Sequence, residues 1–216
     1  MIQSTPDTSL LPREYQRVEY IEGTGTQIID TGVQHTDYTS FTGSFKYTTN
    51  AVYTVLGVQD SSTNMRAVVS SSGSQWGTST KPTGYYGPGY GGPHYVKMSD
   101  WHTFEFGYGY FNVDDEEKTF ATLNFYPATL TIALFGCNNK GTLTPSPIAI
   151  GEIKIYTGQN EKTLVRDFVP CYRKSDGVVG MYDLCGSVCP LTGTPFYINA
   201  NGSDNFIKGA DVNDVL

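Results

Sequence analysis

Residues 164–183 read LVRDFVPCYRKSDGVVGMYD and contain the clearest structural signal in the chain. Two runs rich in aromatic and β-branched residues, 164–172 and 178–182, flank a short polar segment that contains Asp176-Gly177. Residues of these types favour strands, and Asp-Gly between two such runs is a strong signal for a tight turn. The stretch therefore predicts two antiparallel strands joined at Asp176-Gly177.

Three residues of the first strand constrain its surroundings. Arg166 and Asp167 are adjacent, so their side chains point to opposite faces of the sheet, and each requires a partner on another strand. Pro170 has no N–H to give to a ladder, which predicts a sheet edge or the end of the strand at that position. The strand is thus predicted to carry one charged residue toward each face.

The rest of the chain repeats the pattern of short strands and turns, without an apolar stripe of helical period. Further strands are predicted at Tyr15–Glu22, Thr26–Thr31, Tyr38–Tyr47, Val52–Val58, Met65–Ser71, Trp101–Tyr108, Tyr110–Val113, Lys118–Ala121, Leu130–Phe135, Ile148–Tyr156, Phe196–Asn199 and Asn205–Ile207. Hairpins with polar turns are predicted at Asn112–Lys118 and at Cys137–Gly141. Many short strands with frequent turn signals are typical of a sandwich or barrel, so an all-β fold is predicted.

Composition excludes several function classes. Of 216 residues, 16 are Tyr and 24 are Gly, and the formal net charge is −7. Binding to phosphates needs a footprint of Lys and Arg, so nucleic acid is excluded as a partner. No apolar run reaches about 18 residues, so no membrane span is predicted. The first twelve residues do not have the pattern of a Sec signal, and we expect this polar arm to be held by a neighbouring subunit.

Four cysteines, Cys137, Cys171, Cys185 and Cys189, leave three states open. The lack of a signal peptide disfavours a disulfide framework. Zinc is disfavoured because no His is adjacent in sequence and the Cys185–Cys189 spacing is wide for a paired ligand motif. Buried or half-buried thiols are therefore the preferred interpretation, ahead of a disulfide and of a metal site.

Five stretches of the chain carry a family resemblance. They are YQRVEYIEGTGTQIIDTG (15–32), WHTF (101–104), GEIKIY (151–156), the opening stretch 164–183, and the tail from FY (196–197) to FIKG (206–209). They resemble concanavalin A-like, laminin-G-like jelly-roll domains of phage structural proteins and gut-bacterial surface proteins. The resemblance implies a jelly-roll sandwich of two antiparallel sheets over residues 13–212, with an arm at 1–12 and a tail at 213–216. It also implies that the first and last strands lie side by side.

No recognisable catalytic motif is present. Glycan-cleaving enzymes on this fold place two carboxylates on one strand face in a Glu-x-Asp run, and no glutamate here is followed two positions later by Asp. The nucleophile-elbow, HExxH, Walker and Rossmann motifs are also absent. His102 is expected to be a packed or turn-capping residue, and the contiguous acids 114–117 lack the spacing of calcium ligands. A non-enzyme without cofactor or metal is predicted.

The stretch 70–92 is predicted to be the functional surface. It is rich in Ser, Gly, Tyr and Pro, nearly uncharged and longer than is typical of the family, and long loops in compact domains are usually functional or mobile. Its candidate partner-binding residues are Trp76, Tyr85, Tyr86 and Tyr90. Such rings suit a subunit interface, where Tyr and Trp are enriched, or the face of a sugar. The interface is preferred, because no spaced polar clamp accompanies the rings.

The leading functional hypothesis is a phage virion protein, a decoration or fibre module attached to head or tail and assembled in the host cytoplasm. Its partners would be other virion proteins within an oligomer, with host cell-surface polysaccharide as a further ligand. The alternative is a carbohydrate-binding adhesin domain of a bacterial surface protein. That alternative requires export, for which this N-terminus supplies no signal.

Overall fold

The computed structural model describes residues 11–36, 38–48, 53–60, 66–71, 79–80, 82–86, 89–91, 94–97, 100–121, 126–185 and 195–212. Residues 1–10 of the predicted arm (1–12) and the whole predicted tail (213–216) lie outside these ranges. The strands are β1 (Tyr15–Arg17), β2 (Ile21–Glu22), β3 (Ile29–Gln34), β4 (Ser40–Tyr47), β5 (Thr54–Gln59), β6 (Arg66–Ser71), β7 (Ser79–Thr80), β8 (Pro82–Tyr86), β9 (Gly89–Gly91), β10 (Val96–Lys97), β11 (His102–Gly107), β12 (Tyr110–Val113), β13 (Glu116–Thr119), β14 (Thr131–Leu134), β15 (Gly136–Asn139), β16 (Thr142–Pro145), β17 (Ile148–Thr157), β18 (Thr163–Arg173), β19 (Val179–Asp183), β20 (Phe196–Tyr197) and β21 (Ile207–Lys208). Within the described ranges the chain forms no helix, so none there could cross a membrane.

The strands form two large sheets, which confirms the predicted all-β sandwich. The first sheet has the order β13-β12-β11-β4-β17-β18-β19-β20, with β1 beside β18, β2 beside β17, and β21 beside β2. The second has the order β16-β15-β5-β6-β8-β9, with β14 pairing both β3 and β5. A short antiparallel pair, β7 with β10, is separate from both sheets.

One pairing departs from the predicted antiparallel pattern. β14 is antiparallel to β5, but β15, which follows β14 directly, is parallel to β5 at Asn138 and Asn139. The chain reverses at Phe135-Gly136, where both residues have positive φ, 62° and 148°. Positive φ is accessible to Gly and uncommon for other residues, so the reversal depends on local geometry that apolar patterning does not reveal.

The core lies between the two sheets and is dominated by aromatic and β-branched side chains. Buried residues of the first sheet include Phe41, Phe45, Phe106, Ile153, Ile155 and Phe168; those of the second include Leu56, Val58, Val69, Ile132 and Leu134. Phe41 and Phe106, opposite each other on β4 and β11, stack with their ring centres 5.8 Å apart. Burying one such side chain contributes roughly 1.5–3 kcal/mol, so this layer holds the strands rigidly in place.

Strands from the beginning and from the end of the described chain pair within the first sheet. β1 pairs with β18 through Tyr15 and Arg173, and β2 pairs with β21 through Ile21 and Lys208. An isolated bridge joins Val18 to Asp211. The prediction that the first and last strands lie side by side is therefore confirmed.

The hairpin predicted at Asp176-Gly177 forms between β18 and β19. Gly177 takes a φ of 72°, and its N–H donates to the carbonyl of Arg173 at 2.8 Å. Arg173 also pairs with Asp176 across the turn, at 2.6 Å. The sequence signal Asp176-Gly177 thus has a direct cause, since Gly supplies the positive φ and Asp accepts hydrogen bonds from its own turn.

Arg166 and Asp167 find partners on other strands, as expected for adjacent strand residues. Arg166 is buried, with Nε 3.3 Å from the carbonyl oxygen of Thr31 and 3.5 Å from the Asp183 carboxylate. Asp167 points to the other face, where its carboxylate lies 3.3 Å from Nζ of Lys154. Burial raises the pKa of Asp183, while two backbone N–H donors and Arg166 act in the opposite direction.

The prediction for Pro170 was wrong. β18 continues through Pro170 inside the first sheet, where it lies opposite Met181 of β19. On its other side, β18 pairs with β17 as far as Phe168 and with β1 from Cys171 onward. Pro170 falls at this change of partner, where its carbonyl accepts from the N–H of Val18 at 3.0 Å. A residue without N–H is tolerated in the sheet interior because no ladder donor is needed there.

The hairpin predicted at Cys137–Gly141 is formed by β15 and β16. Its turn is Lys140-Gly141, and both residues have positive φ, 54° and 82°. This is the geometry that matches the twist of two antiparallel strands. The turn is therefore shorter than the polar run indicated, because Asn138 and Asn139 belong to β15.

Two of the cysteines are deeply buried thiols. Burial raises the pKa of Cys137 and of Cys171 to about 12. A thiol is reactive as its thiolate, so neither is activated at neutral pH. Cys185 is half-buried, and Cys189 lies outside the described residues.

Candidate functional site: the aromatic end of the sandwich

The structure separates the predicted partner-binding residues. Trp76 lies outside the described residues, whereas much of the predicted loop consists of strands β7, β8 and β9. Successive residues of a strand face opposite sides of the sheet. On β8, Tyr86 therefore turns into the core while its neighbour Tyr85 faces outward and is half-buried. Tyr86 was predicted as part of a functional surface, but its side chain is buried because the stretch continues the sheet.

Tyr86 is an anchor of the core at one end of the sandwich. Its side chain is 0% exposed, and its ring edge meets His35 at 4.7 Å and Phe106 at 5.7 Å between ring centres. Its hydroxyl lies 3.0 Å from the carbonyl oxygen of Thr39 and 3.2 Å from that of Thr36. The Tyr86 O–H is thus shared between two carbonyl oxygens of the turn at 36–39, which connects β3 to β4, and ties this turn to the core.

Tyr85 belongs to a row of residues across the second sheet. It lies opposite Val68 on β6 and opposite Tyr90 on β9, the last strand of the sheet among the described residues. Directly opposite residues of antiparallel strands are the closest neighbours on a sheet face. The register thus brings the predicted residues Tyr85 and Tyr90 to adjacent positions, near the same end as Tyr86.

Three tyrosines that were not predicted lie at this end too. Tyr108 follows β11, is 44% exposed, and has its ring centre 5.8 Å from Tyr86 and 5.7 Å from Tyr38. Tyr126 is 56% exposed, and the N–H of Ala128, two residues on, donates to the carbonyl of His35 at 3.0 Å. We call Tyr38, Tyr85, Tyr86, Tyr108 and Tyr126 the aromatic end.

The aromatic end is built from separate segments around one buried ring. Tyr86 holds the 36–39 turn through its hydroxyl, and that turn positions Tyr38. Tyr108 is held because its ring meets Tyr86 nearly at a right angle, 88°. The result is a group of partly exposed, uncharged rings on a rigid support, which is suited to bury area against a partner at low entropic cost.

His102 is a packed clamp, as predicted. Its side chain is buried; Nδ1 lies 2.5 Å from the Asp114 carboxylate and Nε2 lies 2.8 Å from the carbonyl oxygen of Lys97. Asp114 also accepts from the N–H of Thr103 at 2.9 Å and has a φ of 49°. Both ring nitrogens thus hold protein acceptors in place, and the acidic turn between β12 and β13 is tied to the start of β11.

The described part of the chain brings no three His, Cys, Asp or Glu side chains together in the manner of metal ligands. The acidic residues 114–117 are used locally instead. Asp114 binds His102, and Glu116 pairs with Lys118, which lowers the pKa of the Glu116 carboxyl. These contacts explain why a contiguous acidic run occurs at a hairpin turn.

Comparisons with known proteins identify no family for this chain. No protein-family model matches the sequence, and no curated protein matches it significantly. Among solved structures, the chain is similar to domains LG4-5 of the mouse laminin alpha1 chain, with 15% identity and a TM-score of 0.36. The similarity covers 83% of this chain and 50% of the laminin chain. The assignment as a two-sheet sandwich rests on the strand pairing described above.

Proposed function

We propose that this chain is a non-catalytic module of a phage virion, a decoration or fibre component of head or tail that is assembled in the host cytoplasm. In this proposal the aromatic end contacts a neighbouring virion protein or a second copy of the chain. The observation that carries the proposal is the grouping of Tyr38, Tyr108 and Tyr126 at the surface around the buried Tyr86. Tyrosine is enriched in the buried centre of protein interfaces.

The size of the effect is consistent with an interface contact. A Tyr side chain buries some 150 Å² or more when fully covered, so a half-exposed ring has roughly 75 Å² left to bury. At about 25 cal/mol per Å², three such rings contribute on the order of 5 kcal/mol. Because the contact is apolar and the rings carry no charge, attachment should depend only weakly on salt.

Two surface variants test the proposal directly. Virus particles assembled without the chain are mixed with purified protein, and the bound fraction is measured after sedimentation. The double variant Tyr108→Ser, Tyr126→Ser should lose attachment, because both rings are partly exposed and neither is a core residue. The matched control is Tyr95→Ser, since Tyr95 is 70% exposed on the segment 94–97 and outside the aromatic end. Equal attachment of double variant and control contradicts the proposal.

The alternative, a carbohydrate-binding adhesin domain, uses the same rings differently. Tyr and Trp rings offer an apolar face on which a sugar can lie, with a polar group beside it. A wild-type protein that binds host polysaccharide but not the particles, with loss of that binding in the Tyr108→Ser, Tyr126→Ser variant, favours the adhesin over the virion module.

A further inference from the structure

A second aromatic cluster lies at the opposite end of the sandwich. Trp101 immediately precedes β11 and Tyr108 immediately follows it, so a strand of about 20 Å separates the two ends. The rings of Tyr20 and Trp101 have their centres 5.2 Å apart with planes tilted by 53°. Nζ of Lys46 lies 5.0 Å from the ring centre of Tyr20 and 5.3 Å from that of Trp101.

The three side chains come from separate parts of the fold, and Tyr20 is packed against the chain at Gly209. Lys46 is on β4 between the inward-facing Phe45 and Tyr47, so strand alternation directs it outward. Tyr20 packs on the backbone at Gly209, where a Cβ atom would come within 2.7 Å of the ring. The N–H of Gly209 also donates to the carbonyl of Tyr20 at 2.9 Å. Glycine at 209 therefore allows the ring to lie against the last strand.

Within the described part of the chain, the ammonium of Lys46 lies beside aromatic rings and makes no ion pair. Lys97, Lys118, Lys154, Lys162 and Lys208 each have a carboxylate partner. Lys46 has aromatic rings beside it and no ion-pair partner among the described residues. An ammonium without a carboxylate partner, next to a Trp that is 40% exposed, can attract an anion locally although the chain as a whole has a net charge of −7.

We propose that Tyr20, Lys46 and Trp101 bind a carboxylate-bearing sugar unit of a polysaccharide. The exposed part of the Trp101 ring offers the apolar surface against which the C–H face of a six-membered sugar ring packs. Lys46 supplies the ammonium that donates to the sugar carboxylate, a charge-assisted hydrogen bond. Rings and cation occur together here, whereas the aromatic end has rings alone.

This inference goes beyond the proposed function and stands on a different surface. The aromatic end is proposed to bind a protein partner. The cluster at Trp101 is proposed to bind a glycan, and it lies about one strand length from the aromatic end. A module attached by one end can present the other end to a cell surface. Particle attachment and sugar binding are separate measurements, so failure of either inference leaves the other open to its own test.

The experiment measures binding of an oligogalacturonate, with a neutral malto-oligosaccharide of the same length as the comparison ligand. Calorimetry and Trp fluorescence report the affinity of the full chain. We expect binding of the acidic ligand only, loss of binding in Trp101→Ala, and about tenfold weaker binding in Lys46→Gln, as expected for one lost charge-assisted hydrogen bond. Raising the salt concentration should weaken binding, in contrast to particle attachment.

Two controls show whether a loss of affinity comes from the site itself, from the lower charge of the protein or from lower stability. Lys140→Gln removes an exposed lysine of the β15–β16 turn and should leave the affinity unchanged. Thermal unfolding of Lys46→Gln should match wild type within a few degrees, which shows that the loss is not unfolding. Equal affinity for acidic and neutral ligands, equal effects of the two lysine variants, or no binding of the acidic ligand by wild type overturns the proposal.

Discussion

Replacing Tyr86 by Ala should destabilise the fold far more than replacing its neighbour Tyr85. Tyr86 is wholly buried between the sheets, and truncating a buried aromatic ring to Ala typically costs about 3–5 kcal/mol. Its hydroxyl is also the donor to the carbonyls of Thr36 and Thr39, and losing that hydrogen bond adds roughly 1 kcal/mol. The expected cost is therefore on the order of 4–6 kcal/mol, a large part of the stability of a typical domain.

Two further variants divide this cost into its parts. Tyr86→Phe keeps the ring and removes the donor, so it should cost about 1–2 kcal/mol. Tyr85→Ala removes a half-buried outward ring, and we expect a cost of about 1 kcal/mol or less. The order Tyr86→Ala, then Tyr86→Phe, then Tyr85→Ala follows from the alternation of side chains on β8.

Urea unfolding followed by circular dichroism measures the free energy of unfolding of each variant. If Tyr85→Ala costs as much as Tyr86→Ala, the assignment of inward and outward faces on β8 is refuted. The result also decides how binding is tested. Substituting Tyr85, Tyr86 and Tyr90 together by Ser would unfold the end of the sandwich, so a loss of attachment in that variant would not identify a binding surface.

Three other predictions concern stability. Arg166→Met leaves the buried Asp183 carboxylate without its cation and should cost about 3–5 kcal/mol, and urea unfolding that shows a cost under about 1 kcal/mol contradicts this. A second change, Asp183→Asn, removes the charge but keeps an oxygen for the N–H groups of Asp167 and Cys185, so it should recover part of that cost. The raised thiol pKa values of Cys137 and Cys171 mean that the unfolded state loses these protons first as pH rises. The free energy of unfolding should fall between about pH 9 and 12, by up to ~1.4 kcal/mol per pH unit per thiol, and Ala at both positions should flatten this slope in alkaline unfolding curves. Deleting residues 196–216 removes β20 and β21 and should abolish cooperative thermal unfolding, whereas an unchanged melting temperature would show that the tail is dispensable.

Much of the fold could be predicted from sequence because strand signals are local. The hairpin at Asp176-Gly177 needed only a turn dipeptide between two apolar runs. The opposite faces of Arg166 and Asp167 followed from the two-residue period, and the structure supplies the partners, Asp183 and Lys154. What could not be predicted depends on pairing between distant segments. Pro170 is tolerated only because β17 ends and β1 begins beside it.

The candidate site was predictable only in part, for the same reason. Tyr85 and Tyr90 were predicted as candidates from an unusual run of composition, but that composition did not indicate the strands β7, β8 and β9 within the run. Tyr38 and Tyr108 sit alone in their local sequences, next to strand ends, where a single Tyr is unremarkable. They meet only because β4 and β11 are neighbours whose ends coincide. A cluster of this kind is a product of topology, and one sequence does not show which strand ends converge.

The two ends of the sandwich differ in a way that follows from the strands that reach them. At one end, the inward ring of Tyr86 supports outer rings that carry no charge. At the other end, the outward position of Lys46 on β4 places an ammonium beside Tyr20 and Trp101. An apolar contact resists salt, whereas a contact that relies on one ammonium weakens as the Debye length shortens. Salt therefore distinguishes the two surfaces: attachment through the aromatic end should persist under conditions in which binding of an acidic sugar at Trp101 has been lost.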